Sequence, residues 1–111
     1  MTIFEDRERG YEAKWAHDEE AQVRVMAWRD AALGEWAAGL MKLSGAEAAD
    51  YVQSVIHAGL ARKGADPALE KVRADLSTRG AACAETDLLE KARALLEQAK
   101  AAVLAAPKPR Q

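Results

Sequence analysis

The chain has 111 residues and a mass of 12.0 kDa, which is enough for one small domain. Half of its residues are hydrophobic but 26 of these are alanine, so any core must be thin, with helices in close approach. A formal net charge of −2 offers little attraction for phosphates, which makes nucleic acid a poor partner. The single cysteine, Cys83, cannot form an internal disulfide, which fits a reducing compartment.

No targeting or membrane segment is evident along the sequence. The N-terminus lacks the basic start and apolar run of a secretory signal, and its many acids argue against an organelle transit peptide. No apolar stretch approaches the length that spans a bilayer. We therefore expect a cytoplasmic protein.

The first twenty residues combine dense charge with an aromatic stripe. Phe4, Tyr11 and Trp15 would fall within about 40° of one another on a helix, because successive residues turn by about 100°. Seven acids and three bases give residues 1–20 a net charge of −4. Such a segment is suited to lie in another protein's groove, with the rings as anchors and the charges setting orientation. The stripe could instead fold back on its own domain, as helical aromatic residues usually do.

The sequence pattern predicts helix throughout, because strand-like alternation is absent and strong helix formers dominate. One helical run could extend from about Glu5 to Lys42, although its apolar stripe is broken at Asp18. This break separates an N-terminal arm, residues 1–20, from a body that starts near Ala21. Trp28 lies to the side of the stripe, where it either flanks the core or presents a second contact surface. The body residues predicted to face the core from this run are Met26, Leu33, Trp36, Ala37 and Leu40.

Capping signals divide the body into further helices. Ser44 and Glu47 have the spacing of a capping box, which predicts the start of a second helix, and Gly64 is predicted to close it. Asp66 followed by Pro67 predicts the start of a third helix, because proline at the first helical position needs no N–H partner. The predicted core-facing residues are Val52, Val55, Ile56, Gly59 and Leu60 in the second helix, and Leu69, Val72 and Leu76 in the third.

The third helix is predicted to end at Arg79 and Gly80, and a fourth to begin near Thr86. The predicted core-facing residues of the fourth are Leu88, Ala92, Leu95, Leu96, Ala99 and Val103. Residues 106–111 are predicted to form a disordered tail, so the bundle domain comprises residues 21–105. The expected fold is all-α, a small four-helix bundle with a long first helix and a mobile N-terminal arm.

Few residues are suited to catalysis. A carboxylate-bridged metal pair in a helical bundle needs Glu-x-x-His on two helices, and neither His17 nor His57 has a glutamate at that spacing. Cys83 has no histidine near it in sequence, and the chain has no glycine-rich phosphate loop and no HExxH motif. We therefore expect that the protein is not an enzyme and that it has no metal site and no cofactor. The sequence leaves open whether a nucleotide binds the bundle.

Two runs in the arm carry a family resemblance, Phe4-Glu5-Asp6-Arg7-Glu8-Arg9 and Tyr11-Glu12-Ala13-Lys14-Trp15-Ala16-His17-Asp18-Glu19-Glu20. They resemble the start of the zeta subunit of alphaproteobacterial F-type ATP synthases. The similarity continues through Leu33-Gly34-Glu35-Trp36-Ala37-Ala38 and Leu43-Ser44-Gly45, and more loosely into the third and fourth helices. The resemblance covers most of the chain and is most specific in the arm.

This resemblance implies an intrinsic inhibitor of ATP hydrolysis by the soluble catalytic head of the synthase. In this family the N-terminal segment is mobile when free and becomes a helix wedged between the large head subunits, near the central stalk. The resemblance implies a cytoplasmic protein that is peripherally associated with the inner membrane through the synthase. The expected partner-binding residues are Phe4, Glu5, Asp6, Arg7, Glu8, Arg9, Tyr11, Glu12, Lys14, Trp15, His17, Asp18 and Glu19.

The alternative is a helical adaptor or small-ligand-binding bundle that is unrelated to the synthase. In that case the arm packs on the body and the function lies in a cleft between helices. Amide exchange over residues 2–18 distinguishes the two, because a docked helix is protected and a free arm is not.

Overall fold

A computed structural model of the protein describes residues 18–61, 64–81 and 83–104. Within these ranges four α-helices follow one another, α1 (Glu19–Leu40), α2 (Gly45–Leu60), α3 (Pro67–Thr78) and α4 (Glu85–Leu104). The predicted all-α fold of four helices is confirmed, and α1 is the longest of the four. Within the same ranges, no helix has the length and apolar character needed to cross a membrane.

Aspartate side chains set the starts of α1 and α3. Asp18 has an extended backbone, and its Oδ1 accepts a hydrogen bond of 3.0 Å from the Ala21 N–H, so α1 begins at the next residue. Asp66 caps α3 in the same way through the Leu69 N–H at 3.3 Å, and Pro67 is the first helical residue. The predicted start of α3 is therefore confirmed.

The prediction of one continuous helix from about Glu5 to Lys42 is wrong. The extended backbone of Asp18 interrupts it, because a capping residue leaves the helical conformation in order to bond the first-turn N–H groups. The helix also ends at Leu40, two residues before the predicted end. The part of this prediction over residues 5–17 lies outside the described residues.

The ends of α2 also differ from prediction. Ser44 stands at the cap position, but its side chain makes no capping hydrogen bond, so the capping box with Glu47 is not formed. The physical reason is Gly45, whose φ of 58° departs from the helical first turn that a capping box requires. Gly64 adopts the predicted positive φ, at 80°, but α2 already ends at Leu60. The later boundaries are closer to the predicted ones. α3 ends at Thr78, just before Gly80, whose φ is 68°, and α4 begins at Glu85, one residue before Thr86.

α1 packs against all three other helices. Its close approach to α2 depends on glycine, because a Cβ at Gly34 would stand 3.2 Å from the Val52 Cα. Asp30 meets Gly59 earlier along α1, so the two helices run antiparallel.

The core consists of small and medium aliphatic side chains, as the alanine-rich composition predicts. The described residues form two clusters, and the larger joins the four described helices through Leu33, Ala37, Val55, Ala68, Leu69, Val72, Leu76, Leu88, Ala92 and Leu95. The smaller joins the start of α1 to the end of α4 through Ala21, Val25, Ala99 and Leu104. α4 therefore also runs antiparallel to α1.

Several predicted core positions lie at the surface instead. Leu40 and Leu60 are exposed, because each is the last residue of its helix. The structure likewise leaves Trp28 exposed, which favours the interpretation of a surface residue over one that flanks the core. The remaining predicted positions that are only partly buried are Met26, Trp36, Val52, Ile56, Gly59, Leu96 and Val103.

Candidate functional site

A buried arginine joins the middle of α1 to the start of α3. Arg29 and its neighbour Asp30 are each only 3% exposed. Arg29 donates from Nε and Nη2 to Asp30 Oδ1, at 2.9 and 2.7 Å. It also donates from Nη1 and Nη2 to Asp66 Oδ2 and Oδ1, at 2.8 and 2.6 Å, which is a bidentate pair. Because Asp66 also caps α3, one guanidinium fixes the start of α3 against α1.

The two carboxylates of this cluster respond differently to their surroundings. Burial raises the pKa of Asp30, and the charge and hydrogen bonds of Arg29 offset this only in part. Burial acts on Asp66 in the same direction, but the hydrogen bonds and charge of Arg29 outweigh it and the pKa of Asp66 is lowered. The pKa of Arg29 is raised although burial opposes this, since both aspartates bond it. With both carboxylates ionised, the cluster carries a net charge of −1.

Gly59 of α2 lies directly against this cluster. A Cβ at this position would stand 2.1 Å from Asp30 Oδ2, far inside contact distance. Asp30 is held in place by its two hydrogen bonds from Arg29, so it cannot move aside freely. The contact between α1 and α2 at this level therefore requires glycine.

A groove opens beside the cluster, between α1, α2 and the loop that precedes α3. We call it the α1–α2 groove. It is lined by Glu19, Gln22, Val23, Met26, Ala27, Asp30, Ile56, Gly59, Leu60, Gly64, Ala65, Asp66 and Pro67. Its walls are mainly apolar, and its acidic groups are Glu19, Asp30 and Asp66. The groove begins at the first residue of α1, next to the point where the arm joins the body.

A family model described as ATPase inhibitor subunit zeta matches residues 1–102. The chain belongs to this family. The match spans the arm and reaches the last turn of α4, and it confirms the resemblance seen in the sequence. No curated protein and no solved structure matches the chain.

Membership in the zeta family supports a role as an ATPase inhibitor and implies an interaction with the ATP synthase. An inhibitor subunit is not itself catalytic. The family therefore favours the inhibitor over the alternative of an adaptor or ligand-binding bundle that is unrelated to the synthase.

Two of the predicted partner-binding residues lie within the described part of the zeta-family chain. Asp18 is partly buried and its carboxylate caps α1, so the structure gives it a role inside the chain. Glu19 is exposed and lines the α1–α2 groove. The other predicted residues lie outside the described residues: Phe4, Glu5, Asp6, Arg7, Glu8, Arg9, Tyr11, Glu12, Lys14, Trp15 and His17.

Of the residues considered for catalysis, His17 lies outside the described residues, and His57 and Cys83 line different cavities. His57 is exposed on α2, and Cys83 is partly buried in the loop before α4, with Sγ 3.6 Å from the Ala84 carbonyl oxygen. In residues 18–61, 64–81 and 83–104, no three His, Cys, Asp or Glu side chains form a group that could hold a metal ion.

Sequence reasoning missed the Arg29 cluster, although one signal for it was present. Arg29 and Asp30 are adjacent opposite charges in the alanine-rich middle of a helix, and a charged pair there requires a partner if the helix is packed on all sides. Asp66 was predicted only as a cap. Its second role depends on the tertiary position of α3, which the sequence does not supply.

Removing Arg29 should destabilise the bundle strongly. Arg29→Ala leaves Asp30 buried without its partner and frees Asp66, and breaking a buried pair from one side costs about 3–5 kcal/mol. We expect a loss of about 3 kcal/mol or more in the free energy of unfolding, measured by urea denaturation followed by circular dichroism.

The matched control is Arg24→Ala, on the same helix. It removes an exposed ion pair with Glu20, at 3.1 Å, and exposed pairs contribute less than about 1 kcal/mol. Equal losses of stability in the two variants would contradict the importance assigned to the buried cluster.

Asp66→Asn should separate the charge of Asp66 from its capping role, because asparagine is also a good N-cap. Since folding lowers the pKa of Asp66, its ionised form stabilises the fold above the ordinary value of 3.8, and this stabilisation disappears as the pH falls through the lower folded value. At neutral pH we expect Asp66→Asn to be less stable than wild type by about 1.5–3 kcal/mol, the range for hydrogen bonds to charged groups.

The measurement is urea denaturation of wild type and Asp66→Asn over a series of pH values. The difference between them should shrink below pH 3.8, as Asp66 becomes protonated in the wild type. Asp30 is present in both proteins, so the difference reports mainly on Asp66. A difference that stays constant over this range would show that charge is not the cause.

Proposed function

We propose that the chain inhibits ATP hydrolysis by inserting its arm, residues 1–20, into an interface of the catalytic head of the ATP synthase, near the central stalk. Residues 21–105 would act as the body that positions the arm. The observation that carries this proposal is the stripe of Phe4, Tyr11 and Trp15 on a highly charged segment, in a chain that the zeta family model matches from residue 1 to residue 102.

The capped start of α1 supports the assignment of insertion to the arm and of positioning to the body. A helix has unsatisfied N–H groups in its first turn, and at α1 the Asp18 carboxylate bonds one of them. The bundle therefore does not need the preceding residues to complete its first helix. An arm attached in this way can change conformation while the bundle stays folded.

The composition of the arm supports folding upon binding. A segment with a net charge of −4 and only three large rings cannot bury enough surface to order itself. Each ring can bury roughly 150–250 Å² at a partner surface, and at about 25 cal/mol per Å² this burial offsets part of the cost of ordering the chain. We expect the charged residues around the rings to pair with charges that line the cleft. This role needs no cofactor, and it places the protein on the cytoplasmic side of the inner membrane through the synthase.

Deleting residues 2–17 tests the arm directly, because the deletion leaves the Asp18 cap in place. We expect the truncated protein to lose inhibition of the cognate ATPase while its circular dichroism and urea unfolding match those of the full chain. Inhibition by the truncated protein at the full-length level would defeat the proposal.

Phe4→Ala combined with Trp15→Ala tests the rings within the full chain. We expect inhibition to weaken by at least about tenfold, mainly through faster release, because buried aromatic anchors carry most of the energy of an interface. The measurement is the dissociation rate from the purified catalytic head. Trp28→Ala is the control, since Trp28 is exposed on α1 outside the arm, and this variant should dissociate at the wild-type rate.

A further inference from the structure

We propose that the α1–α2 groove is a second contact with the synthase, and that it receives an amphipathic helix of the catalytic head that carries a large apolar residue and a lysine or arginine. This inference rests on the proposed function and deepens it. The bundle would then contribute its own binding surface in addition to positioning the arm.

The first argument is apolar surface that none of the four described helices covers. Val23 is 42% exposed and Leu60 is 61% exposed, and both line the groove. Met26 and Ile56 are partly buried beside them. Large aliphatic side chains are scarce in this protein. Two of them, Val23 and Leu60, are nevertheless exposed in the groove and do not contribute to the core. A groove lined in this way is typical of surfaces that bind one face of an amphipathic helix.

The second argument is charge, which selects the occupant. The acidic residues that line the groove are Glu19, Asp30 and Asp66, and Arg29 is already shared between the two aspartates. With all four groups ionised the net charge is −2. An acidic groove repels phosphates and carboxylates and favours a lysine or arginine next to the apolar contact.

The terminal segments of this chain fit the groove poorly. Residues 1–17 contain four acids and three bases, so their charge offers no attraction to an acidic surface. The tail after Leu104 is basic, through Lys108 and Arg110, but it has no large apolar anchor, and its two prolines interrupt a helix. A helix from the partner remains the occupant that satisfies both the apolar walls and the acidic groups.

The third argument is continuity with the arm. Glu19 is the last of the expected partner-binding residues and also the first residue of α1 to line the groove. α1 then runs without interruption past Val23 to Asp30. A partner that holds the arm would therefore stand next to the groove. Joining two contacts in this way strengthens binding, because the second forms within an existing complex.

Lysine substitutions in the full-length chain test the groove. Val23→Lys and Leu60→Lys each remove an apolar contact and add a charge that repels a basic partner helix. Leu89→Lys is a closely matched control, because Leu89 is also 42% exposed and, like Val23, is the fifth residue of its helix. The measurement is the dissociation constant for the purified cognate catalytic head, with urea unfolding to verify that each variant is folded.

We expect Val23→Lys and Leu60→Lys to bind about tenfold more weakly than wild type, and Leu89→Lys to bind as wild type does. Val23→Glu should lose less affinity than Val23→Lys, because it removes the same apolar group without repelling a basic partner. Unchanged affinity in both groove lysine variants would overturn the proposal, and so would a larger loss with glutamate than with lysine.

Other occupants give different results. Tighter binding by the groove variants would identify this chain's own arm as the occupant, released by the substitution, and would overturn the proposal. A wild-type dimer in analytical ultracentrifugation that Leu60→Lys dissociates would identify a second copy and would also overturn it.

A failure of the proposed function would give a different result from a failure of the groove proposal. If Phe4→Ala with Trp15→Ala binds normally while Val23→Lys binds weakly, the arm is excluded from the interface and the groove contact is supported. If the wild-type chain does not bind the catalytic head at all, both proposals are wrong.

Discussion

The bond between Arg29 and two aspartates is the contact on which the arrangement of the helices depends. Asp30 lies on the same helix, Asp66 caps α3, and Asp30 in turn lies against Gly59 of α2. Three helices therefore meet at one buried charge. A core of alanine, valine and leucine does not by itself define a register, because apolar contacts are not directional. A bidentate ion pair is directional, so we attribute to the cluster the alignment of helices that the thin core leaves underdetermined.

The alignment of the helices also determines which surface lies beside the start of α1. α1 contacts each of the other three described helices, and its capped start at Asp18 is the point from which the arm continues. The α1–α2 groove lies beside that point. The arm therefore continues from the end of the bundle at which the groove begins. Under the two proposals made above, the arm would insert into the catalytic head and the groove would provide a second contact beside it.

The sequence predicted the helices well because their signals are local. Periodicity, the Asp66-Pro67 start and the turn at Gly80 each depend on residues a few positions apart. It failed where the answer depends on a neighbouring helix. The helical pattern predicts the face of α2 on which Leu60 lies, but it does not predict that α2 ends at Leu60 and leaves it exposed. The burial of Arg29 depends on the position of α3, which the pattern does not give either. The capping box failed because of the backbone at Gly45. The anchoring role of the arm residues stays a prediction.

The antiparallel packing of α1 on α4 through Ala21 and Ala99 has a practical consequence for experiments. The described residues therefore begin, at Asp18, and end, at Leu104, at the same pole of the bundle. Cys83 stands just before the start of α4, whose 20 residues span about 30 Å. A fluorophore on that lone thiol would therefore lie at the far pole, away from the proposed contact surface.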